Sequence, residues 1–543
     1  MNAALPPLIQ QMLVPEFYPH PVSAPIQLLQ THISYVLLTG DYAYKVKKQV
    51  NLGFLDFSTL DQRRQFCQQE LILNRRWSPD LYLAVLPIVM RSQGQYQLGS
   101  PLDLDRPRGG EAHKPSGPLA SLVDYAVQMR QFDQEDLFSH RFAQGELTLP
   151  HMQALGLLIA SLHEAAPSNP EITANGSVEG VRRVTNNNYA ISCPFLGQSQ
   201  TQTQLDQTQA FSDQFFLEHA DWLQQRQVAG KIRDCHGDLH LNNICFYHGK
   251  IQVFDCVEFN PDFRHIDVIY DMAFMVMDLA AQGRPDLANV FLNTYLERTG
   301  DYEGAVLLPL YLSMRAYIRG NVNALSSQDP AIAPLQQQQC QQKAAAYYRL
   351  AWDYAQPTQG QLLIMSGLSG SGKSTVARQL AQLLDAIQIR SDAVRKHLAG
   401  IPLEVRGAQA GHLGEGIYTP EMTLRTYDRL LQYGTLLAQQ GWTVILDAKY
   451  DRRDLRAAVI AEAQAHNLPL QILSCSAPEA VLRDRLQTRQ GDITDATVAL
   501  LATQQASAEP FSDAERVYVT HLQTDQDLQP QLISVVQQCQ QCC

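Results

Sequence analysis

The sequence predicts two domains, an N-terminal α+β domain followed by a C-terminal α/β domain with a mostly parallel sheet. The chain has 543 residues, which is enough for two hydrophobic cores. After residue 360, short apolar runs alternate with segments of helical spacing, a pattern typical of a parallel sheet covered by helices. Each half also carries a glycine-containing motif of a different kind, and the halves share no internal repeat.

The domain boundary is predicted at residues 356–360. The segment QPTQG interrupts a helix-forming run, AAAYYRLAWDYA, and an apolar strand begins at Leu362. The two domains are accordingly predicted to cover residues 1–355 and 356–543. A glutamine-rich tract that starts at Gly197, GQSQTQTQLDQTQ, is predicted to be a loop insertion.

Composition excludes several classes of protein. The net charge of -12 and the pI near 5.7 argue against a general nucleic-acid coat protein, so a nucleic-acid partner is not expected. The N-terminus has no basic region before an apolar core, and no stretch approaches about 18 uninterrupted apolar residues, so we expect a cytoplasmic protein without a membrane span. The terminal cysteines, Cys539, Cys542 and Cys543, are expected to form a frayed tail and not a metal site.

A glycine-rich loop in the C-terminal half has the spacing of a phosphate-binding loop. The apolar run QLLIM precedes SGLSGSGKST, and VARQLAQLL follows, which is the context that the pattern G-x-x-x-x-G-K-[ST] requires. The N–H groups of such a loop bind phosphate oxygens, helped by the helix N-terminus. Lys373 is predicted to bind the β- and γ-phosphates and Ser374 to hold Mg²⁺. The predicted nucleotide site comprises Gly367, Leu368, Ser369, Gly370, Ser371, Gly372, Lys373, Ser374 and Thr375.

Two carboxylates follow predicted strands of the C-terminal sheet, where ligands of such sheets bind. Asp447 ends TVILD and is predicted to support the metal ion, and Asp392 ends IQIRSD and is predicted to be the general base toward a substrate hydroxyl. A helix N-cap is the alternative for each. Arg485 and Arg489 are four residues apart and share one face of a predicted helix. They are predicted to close as a lid over the transferring phosphoryl group, with a solvated charged face as the alternative.

The N-terminal half contains a second motif, HGDLHLNN, followed after a short hairpin by IQVFDCVEF. An Asp beside the acceptor hydroxyl, with an Asn and a second Asp on Mg²⁺, is the arrangement that protein kinases use. Asp238 is therefore predicted to orient or deprotonate the acceptor. Asn243 and Asp255 supply the hard oxygen ligands that Mg²⁺ prefers. His240 is predicted either to brace this loop or to contact the substrate.

A kinase of this type also needs a lysine on a strand. The segment SYVLLTGDYAYKVKKQV predicts two strands around a TGD turn, with Lys45 on the second strand. The next segment predicts a helix that begins with a capping signal at Ser58 and Asp61. Glu70 is the only glutamate on that helix and is the predicted partner of Lys45 at the nucleotide phosphates, with a solvated helix charge as the alternative. Lys47 lies on the same strand face and competes with Lys45 for this role.

Other polar residues near the N-terminal motif are predicted to be structural. Asp267 and Asp271, in RHIDVIYDMAFMVMDL, are predicted to brace the catalytic loop by hydrogen bonds. His163 lies on the apolar helical segment IASLHEA and is predicted to be a packed core histidine.

Over residues 33–348 the chain resembles the aminoglycoside phosphotransferase and choline kinase branch of the protein-kinase-like fold. The catalytic loop of that branch reads H-G-D-x-x-x-x-N, as residues 236–243 do here. The resemblance implies an α+β protein-kinase-like fold and favours Lys45 over Lys47. One departure is the TGD turn, which stands where protein kinases have the G-x-G-x-x-G loop that covers the phosphates.

Over residues 361–522 the chain resembles the small P-loop kinases that include zeta toxins, gluconate kinase, adenylylsulfate kinase and the kinase module of polynucleotide kinase. In that group an Asp just after the second strand activates the acceptor hydroxyl, which matches Asp392. The arginine-bearing lid of the group matches Arg485 and Arg489. With both motifs, the chain is identified as a member of a bacterial family described as bifunctional aminoglycoside phosphotransferase/ATP-binding proteins.

The predicted activity is that of an ATP-dependent kinase with two sites. Each site would transfer the γ-phosphoryl group of Mg-ATP to a hydroxyl of a small molecule, so ATP and Mg²⁺ are the predicted cofactors. In the alternative hypothesis, the N-terminal domain is a regulatory sensor of a nucleotide or ligand. It would then control a C-terminal kinase of the zeta-toxin type or one that acts on nucleic-acid ends. A local groove of Arg390, Arg395 and Arg406 would serve the nucleic-acid function, which the acidic balance disfavours.

Overall fold

The computed structural model describes residues 5–22, 25–53, 55–91, 94–103, 121–330, 332–405, 416–488 and 500–542. The N-terminal region begins with a six-stranded antiparallel sheet of strand order β1-β2-β3-β6-β4-β5. A short helix precedes this sheet and a long one follows its third strand. The elements are α1 (Pro7–Met12), β1 (Gln27–Gln30), β2 (Ser34–Leu38), β3 (Tyr42–Lys47), α2 (Leu60–Trp77), β4 (Tyr82–Met90), β5 (Tyr96–Leu98) and β6 (Ser121–Arg130).

The predicted pair of strands around the TGD turn is present, with Leu38 opposite Ala43 in an antiparallel hairpin of β2 and β3. The capping signal of α2 lies one residue later than predicted. The extended backbone of Thr59 lets its hydroxyl accept from the Gln62 N–H at 3.3 Å, and the Gln62 side chain accepts from the Thr59 N–H at 3.1 Å. The helix therefore starts from a Thr59–Gln62 capping box and packs one face on the sheet.

A larger, mainly helical lobe follows. Two short two-stranded sheets, β7 with β10 and β8 with β9, lie among its helices. The elements are α3 (Phe138–Ala143), α4 (Leu149–Ala165), α5 (Pro170–Ala174), α6 (Val178–Ser192), α7 (Gln202–Glu218), α8 (Ala220–Val228), β7 (Ile232–Asp234), β8 (Ile244–Tyr247), β9 (Lys250–Val253), β10 (His265–Asp267), α9 (Val268–Ala281), α10 (Pro285–Thr299), α11 (Leu308–Ser327) and α12 (Pro334–Tyr354).

The prediction of a loop insertion in the glutamine-rich tract is wrong, because most of the tract forms α7. Thr201 and Gln204 make a capping box at its start. The buried residues Leu205, Thr208 and Ser212 recur at helical spacing and continue to Phe215, so one face packs on the lobe while the glutamines occupy the other faces.

The C-terminal region is the predicted α/β unit with a parallel sheet. Its five strands have the order β12-β13-β11-β14-β15, and every pair is parallel. The elements are β11 (Gln361–Ser366), α13 (Lys373–Leu384), β12 (Ile387–Arg390), α14 (Ser391–Ala399), α15 (Pro420–Gln439), β13 (Thr443–Asp447), α16 (Arg453–Ala465), β14 (Leu470–Ser476), α17 (Glu479–Thr488), α18 (Leu500–Ser507), β15 (Val519–Gln523) and α19 (Gln529–Cys542).

The two regions share apolar packing. One hydrophobic cluster runs from Phe291 and Leu292 of α10 to Ile387 and Ile389 of β12, which is the edge strand of the C-terminal sheet. The predicted boundary at residue 356 falls between the end of α12 and the start of β11. Among the described residues, no helix is long and apolar enough to cross a membrane. Cys539 is buried in α19 and contacts Gln471, so it is not part of a frayed tail, while Cys543 lies outside the described residues.

Candidate active sites

The predicted catalytic loop lies between β7 and the β8–β9 hairpin. The Asn243 side-chain N–H₂ donates to the Asp238 carboxylate at 2.9 Å and to the Asp238 backbone carbonyl at 3.0 Å. Two fifths of the Asp238 side chain is exposed, whereas its neighbour His240, whose Nε2 lies 3.3 Å from the carboxylate, is buried. The loop therefore presents one accessible carboxylate on a fixed support.

That support comes from two helices beneath the loop. Asp271 of α9 accepts the N–H groups of His236 at 3.0 Å and Gly237 at 2.9 Å, and Asp278 of the same helix accepts that of Leu241 at 3.1 Å. Arg315 of α11 donates to the Gly237 carbonyl at 3.2 Å. The bracing role predicted for Asp271 is confirmed.

The other two structural predictions have different outcomes. His163 is buried between the Tyr295 hydroxyl at 2.9 Å and Asp271 at 3.1 Å, as expected of a packed core histidine. Asp267 does not brace the loop through any bond seen among the described residues. It caps α9 and pairs with Arg226, because it lies at the end of β10 and not beneath the loop.

Asn243 immediately precedes strand β8 and Asp255 follows strand β9, so the antiparallel hairpin brings both residues to its open end. The Phe254 N–H donates to the Asn243 carbonyl at 2.9 Å, immediately before Asp255. Asp255 adopts a left-handed backbone with φ of 63°, which turns the chain out of the strand direction. Asn243 therefore bonds Asp238 directly, and the bond from Phe254 to Asn243 brings Asp255 close to Asn243, although the two predicted metal ligands are separated along the sequence.

Lys45 joins this end of the hairpin to the N-terminal sheet. Its Nζ lies 2.9 Å from Glu70 and 2.5 Å from Asp255, as the predicted Lys45–Glu70 pair requires. Lys47 lies beside it, 2.7 Å from the other Glu70 oxygen, and also pairs with Glu258. Glu70 is fully buried, so the alternative of a solvated helix charge is wrong.

Lys47 and Glu258 complete a buried charge network, in which Glu258 is the member that the sequence did not predict. The only signal for Glu258 is its position three residues after Asp255 in the run FDCVEF. Burial alone would raise the pKa of Glu70, but the two lysines outweigh it and lower this pKa to about 2. Within the described part of the chain Glu258 forms an ion pair only with Lys47, and burial prevails and raises its pKa.

The low pKa of Glu70 leads to a pH prediction. Because the pKa falls from 4.5 in the free side chain to about 2 in the folded protein, the stabilisation by Glu70 is complete above about pH 4.5 and is lost as the pH falls to about 2. We expect the difference in free energy of unfolding between wild type and Glu70→Gln to shrink over this interval. Urea unfolding at a series of pH values measures it, and a constant difference would contradict the network.

Asp238 is held in its ionised form. Burial would raise its pKa, but His240 and then Arg319 of α11 outweigh burial and hold the pKa below its ordinary value. An ionised carboxylate of low pKa is a weak proton acceptor, so it is better suited to accept a hydrogen bond from a hydroxyl than to remove its proton.

In the C-terminal region, residues 367–372 form the predicted loop between β11 and α13. Lys373 begins α13, and its Nζ donates to the carbonyls of Gly367 at 2.9 Å and Leu368 at 2.8 Å. Gly372 precedes the helix with φ of 84°. The loop thus places a lysine beside a helix N-terminus, two features that bind phosphate. The same loop and first turn contain Ser369, Gly370, Ser371, Ser374 and Thr375.

Arg485 of α17 contacts this loop directly. Its guanidinium donates to the Gly370 carbonyl at 3.3 Å and to the Thr524 hydroxyl at 2.9 Å. The Thr524 hydroxyl lies 2.8 Å from the Ser371 carbonyl. Arg485 is therefore not part of a solvated face, whereas half of the Arg483 side chain is exposed. Arg489 lies outside the described residues.

The two predicted C-terminal carboxylates differ in setting. Asp447 ends β13, is buried, and accepts the Gln388 side-chain N–H₂ at 2.9 Å. Asp392 lies past the end of β12, in the first turn of α14, and not at the strand end as expected. Arg390 is the N-cap residue of α14, so the N-cap alternative for Asp392 is wrong. β12 pairs with β13 as far as Arg390, and α14 begins at the next residue.

Both sites contain donor groups that fit Mg²⁺. The N-terminal site brings together an amide and a carboxylate, Asn243 and Asp255, and the C-terminal site has the Ser374 hydroxyl and the Asp447 carboxylate. Hard oxygen donors are the ligands that Mg²⁺ takes beside nucleotide phosphates. The donor chemistry at each site is thus consistent with a magnesium-dependent reaction.

Several known proteins are similar to this chain. An uncharacterized protein of Mycobacterium tuberculosis is 29% identical over 502 residues, which cover 92% of this chain and 93% of that protein. An uncharacterized protein of Mycobacterium bovis matches with the same identity and coverage.

Several solved structures are similar to parts of this chain. The structure of the Mycobacterium tuberculosis APS kinase CysC in complex with AMPPNP and APS is 20% identical and covers 33% of this chain and 98% of that chain, with a TM-score of 0.25. A gluconokinase from Sinorhizobium meliloti is 21% identical and covers 34% and 90%, with a TM-score of 0.23. Amicoumacin kinase hAmiN is 13% identical and covers 64% and 92%, with a TM-score of 0.36.

Family models identify both regions. Residues 133–308 match the model described as phosphotransferase enzyme family, and residues 362–511 match the model described as AAA domain. The first match contains the catalytic loop and the second contains the glycine-rich loop, so the prediction of an ATP-dependent kinase is confirmed. The chain therefore combines a region that matches the phosphotransferase enzyme family with a region that matches the AAA domain.

Proposed function

We propose that the protein carries two phosphoryl-transfer sites, one in residues 1–355 and one in residues 356–543. Each transfers the γ-phosphoryl group of ATP to a hydroxyl of a small molecule. For the N-terminal site, the observation that carries the proposal is the contact of Lys45 with both Glu70 and Asp255. This contact connects the sheet and helix α2 to one of the two predicted metal ligands. A buried network of this kind is costly to maintain and fits a site that binds a charged nucleotide.

In the N-terminal site, Lys45 binds the nucleotide phosphates and Glu70 holds Lys45 in place. Asn243 and Asp255 would hold Mg²⁺, which neutralises the phosphate charge when bound. The exposed Asp238 carboxylate accepts a hydrogen bond from the acceptor hydroxyl and orients it toward the phosphoryl group. Positioning and electrostatic stabilisation carry this chemistry without a covalent intermediate.

In the C-terminal site, Lys373 leaves its two carbonyl partners to bind the β- and γ-phosphates, which the loop N–H groups also bind. Ser374 and Asp447 would support Mg²⁺, and Asp392 orients the acceptor hydroxyl. Arg485 neutralises phosphate charge near the loop. Asp392 lies in the first turn of α14, two residues after the end of β12, which supports this role because ligands of such sheets bind at the carboxyl ends of the strands.

The alternative is that the N-terminal region senses a nucleotide or ligand and controls the C-terminal kinase. The contact between α10 and the edge strand β12 favours this alternative, because it gives the first region a direct connection to the second. The exposed, ionised carboxylate of Asp238 favours catalysis, since a sensor has no need of a base.

One experiment separates the two hypotheses. The full chain is incubated with ATP and a metabolite extract, and phosphorylated products are identified by mass spectrometry for wild type, Asp238→Asn and Lys373→Ala. We expect two sets of products, each reduced about 10²–10⁴-fold in one variant only. Asp213→Asn is the control, because this carboxylate is two fifths exposed on α7 and pairs only with Arg182 among the described residues.

The opposite outcome is equally specific. If Asp238→Asn leaves every product in place, or changes only the rate of the Lys373-dependent product, the proposal of two enzymes is wrong and the sensor hypothesis replaces it.

A further inference from the structure

Helix α10 of the phosphotransferase region covers the free edge of β12. The Asn293 side chain bonds the strand twice: its N–H₂ donates to the Ala386 carbonyl at 3.0 Å, and its oxygen accepts the Gln388 N–H at 2.7 Å. Asn289, one turn earlier, donates to the same carbonyl at 3.0 Å. Backbone groups at a sheet edge need partners when they are buried. The two asparagines provide them, as a neighbouring strand would.

The same face of α10 continues one turn further to Glu297, at the end of β12. The Glu297 carboxylate lies 3.5 Å from one guanidinium nitrogen of Arg390, and Asp447 lies 3.8 Å from another. Arg390 is therefore shared between a carboxylate of the first region and one of the second. Gln388, two residues earlier on β12, also donates to Asp447.

Burial strengthens the interaction between Arg390 and the Asp447 carboxylate. Arg390 and Asp447 have exposed side-chain fractions of 9% and 3%, so water screens their interaction weakly. A cation fully paired with Asp447 would compete with Mg²⁺ for the same carboxylate. The Glu297 carboxylate provides a second partner at a different nitrogen of the guanidinium, which limits the pairing of Arg390 with Asp447.

We infer that Glu297 is a positioning residue of the C-terminal site. By holding Arg390, it leaves the Asp447 carboxylate available to Mg²⁺, so that helix α10 forms part of a site otherwise built from residues after 360. This inference rests on the metal-supporting role proposed for Asp447. It goes further than that role, because it makes the C-terminal site dependent on a carboxylate of the N-terminal region.

The test measures the Mg²⁺ requirement for binding of AMPPNP to the full chain by calorimetry. The C-terminal component is the binding that Lys373→Ala removes. We expect Glu297→Gln to raise the Mg²⁺ concentration for half-maximal binding by about 10–100-fold, with Mg²⁺-free binding unchanged. We expect the double variant Glu297→Gln/Arg390→Gln to return this concentration toward that of wild type, because the competing cation is gone.

Glu303→Gln is the matched control. Glu303 also belongs to the N-terminal region and approaches a C-terminal arginine, Arg429, at 4.0 Å, but it does not contact β12 through any bond among the described residues. Its Mg²⁺ requirement should equal that of wild type. If Glu297→Gln does not fold, as judged by circular dichroism, Glu297→Asp gives the same test with the charge retained at a shorter reach.

Two results would overturn the inference. One is an unchanged Mg²⁺ requirement in Glu297→Gln, and the other is a double variant whose Mg²⁺ requirement is no lower than that of Glu297→Gln. A purely structural role for Glu297 predicts the second result, because removing Arg390 as well would only weaken the interface further. Asp447→Asn is measured in parallel. If Asp447→Asn leaves the Mg²⁺ requirement unchanged, the proposed role of Asp447 is wrong and the inference is wrong with it. If Asp447→Asn changes the Mg²⁺ requirement and Glu297→Gln does not, only the inference about Glu297 is wrong.

Discussion

Replacement of Lys47 by methionine is expected to lower the free energy of unfolding by about 3–5 kcal/mol, because it leaves the buried carboxylate of Glu258 without its cation. The Lys47 side chain is 1% exposed and contacts both Glu70 and Glu258. Lys45 still compensates Glu70 in this variant. Glu258 loses the only ion-pair partner it has among the described residues, so most of the effect comes from this carboxylate. Urea unfolding of the full chain measures the change.

Lys48→Met is the matched control, since Lys48 is the next residue and its Nζ donates to the Thr31 carbonyl at 2.6 Å without an ion pair among the described residues. Its cost should be about 1 kcal/mol or less. The double variant Lys47→Met/Glu258→Met should recover part of the loss, because an apolar pair replaces a buried ion pair. A Lys47→Met variant as stable as Lys48→Met would show that the network does not stabilise the fold.

The parts of these sites that the sequence predicts are those defined by local spacing. The glycine-rich loop follows a strand and precedes a helix in a stretch of about twenty residues, and the Asp238–Asn243 pair lies within one loop. The β2–β3 hairpin that carries Lys45 is equally local. In each case, the residue types and their separation nearly determine the geometry.

The parts that sequence reasoning missed depend on contacts between distant segments. Glu258 joins Lys47 across 211 residues, and no spacing rule relates them. The glutamine tract was misassigned because its composition is that of a loop, while its few apolar residues, such as Leu205 and Phe215, recur at helical spacing. In the nucleic-acid alternative Arg390 would line a basic groove, but the packing of α10 on β12 directs it toward Glu297 and Asp447.

Gly367→Ala is expected to abolish Mg-AMPPNP binding at the C-terminal site. Gly367 has φ of 135°, a backbone conformation that side chains rarely adopt, at a cost of about 1–3 kcal/mol. An added Cβ would also lie 2.3 Å from the Cys475 carbonyl oxygen of β14, and overpacking of this kind costs about 1–3 kcal/mol more. Calorimetry of nucleotide binding and the midpoint of thermal unfolding measure the two consequences.

The size of this effect follows from what surrounds Gly367. Its carbonyl is one of the two that hold Lys373, so a shift of the loop away from Cys475 also moves the lysine that is proposed to bind the phosphates. Gly400→Ala separates strain from steric clash, because Gly400 has φ of 67° but no atom within 4 Å of an added Cβ. We expect this control to cost about 1 kcal/mol and to keep nucleotide binding. Equal losses of stability in the two variants would mean that backbone strain alone, and not the close approach of the loop to β14, makes glycine necessary at position 367.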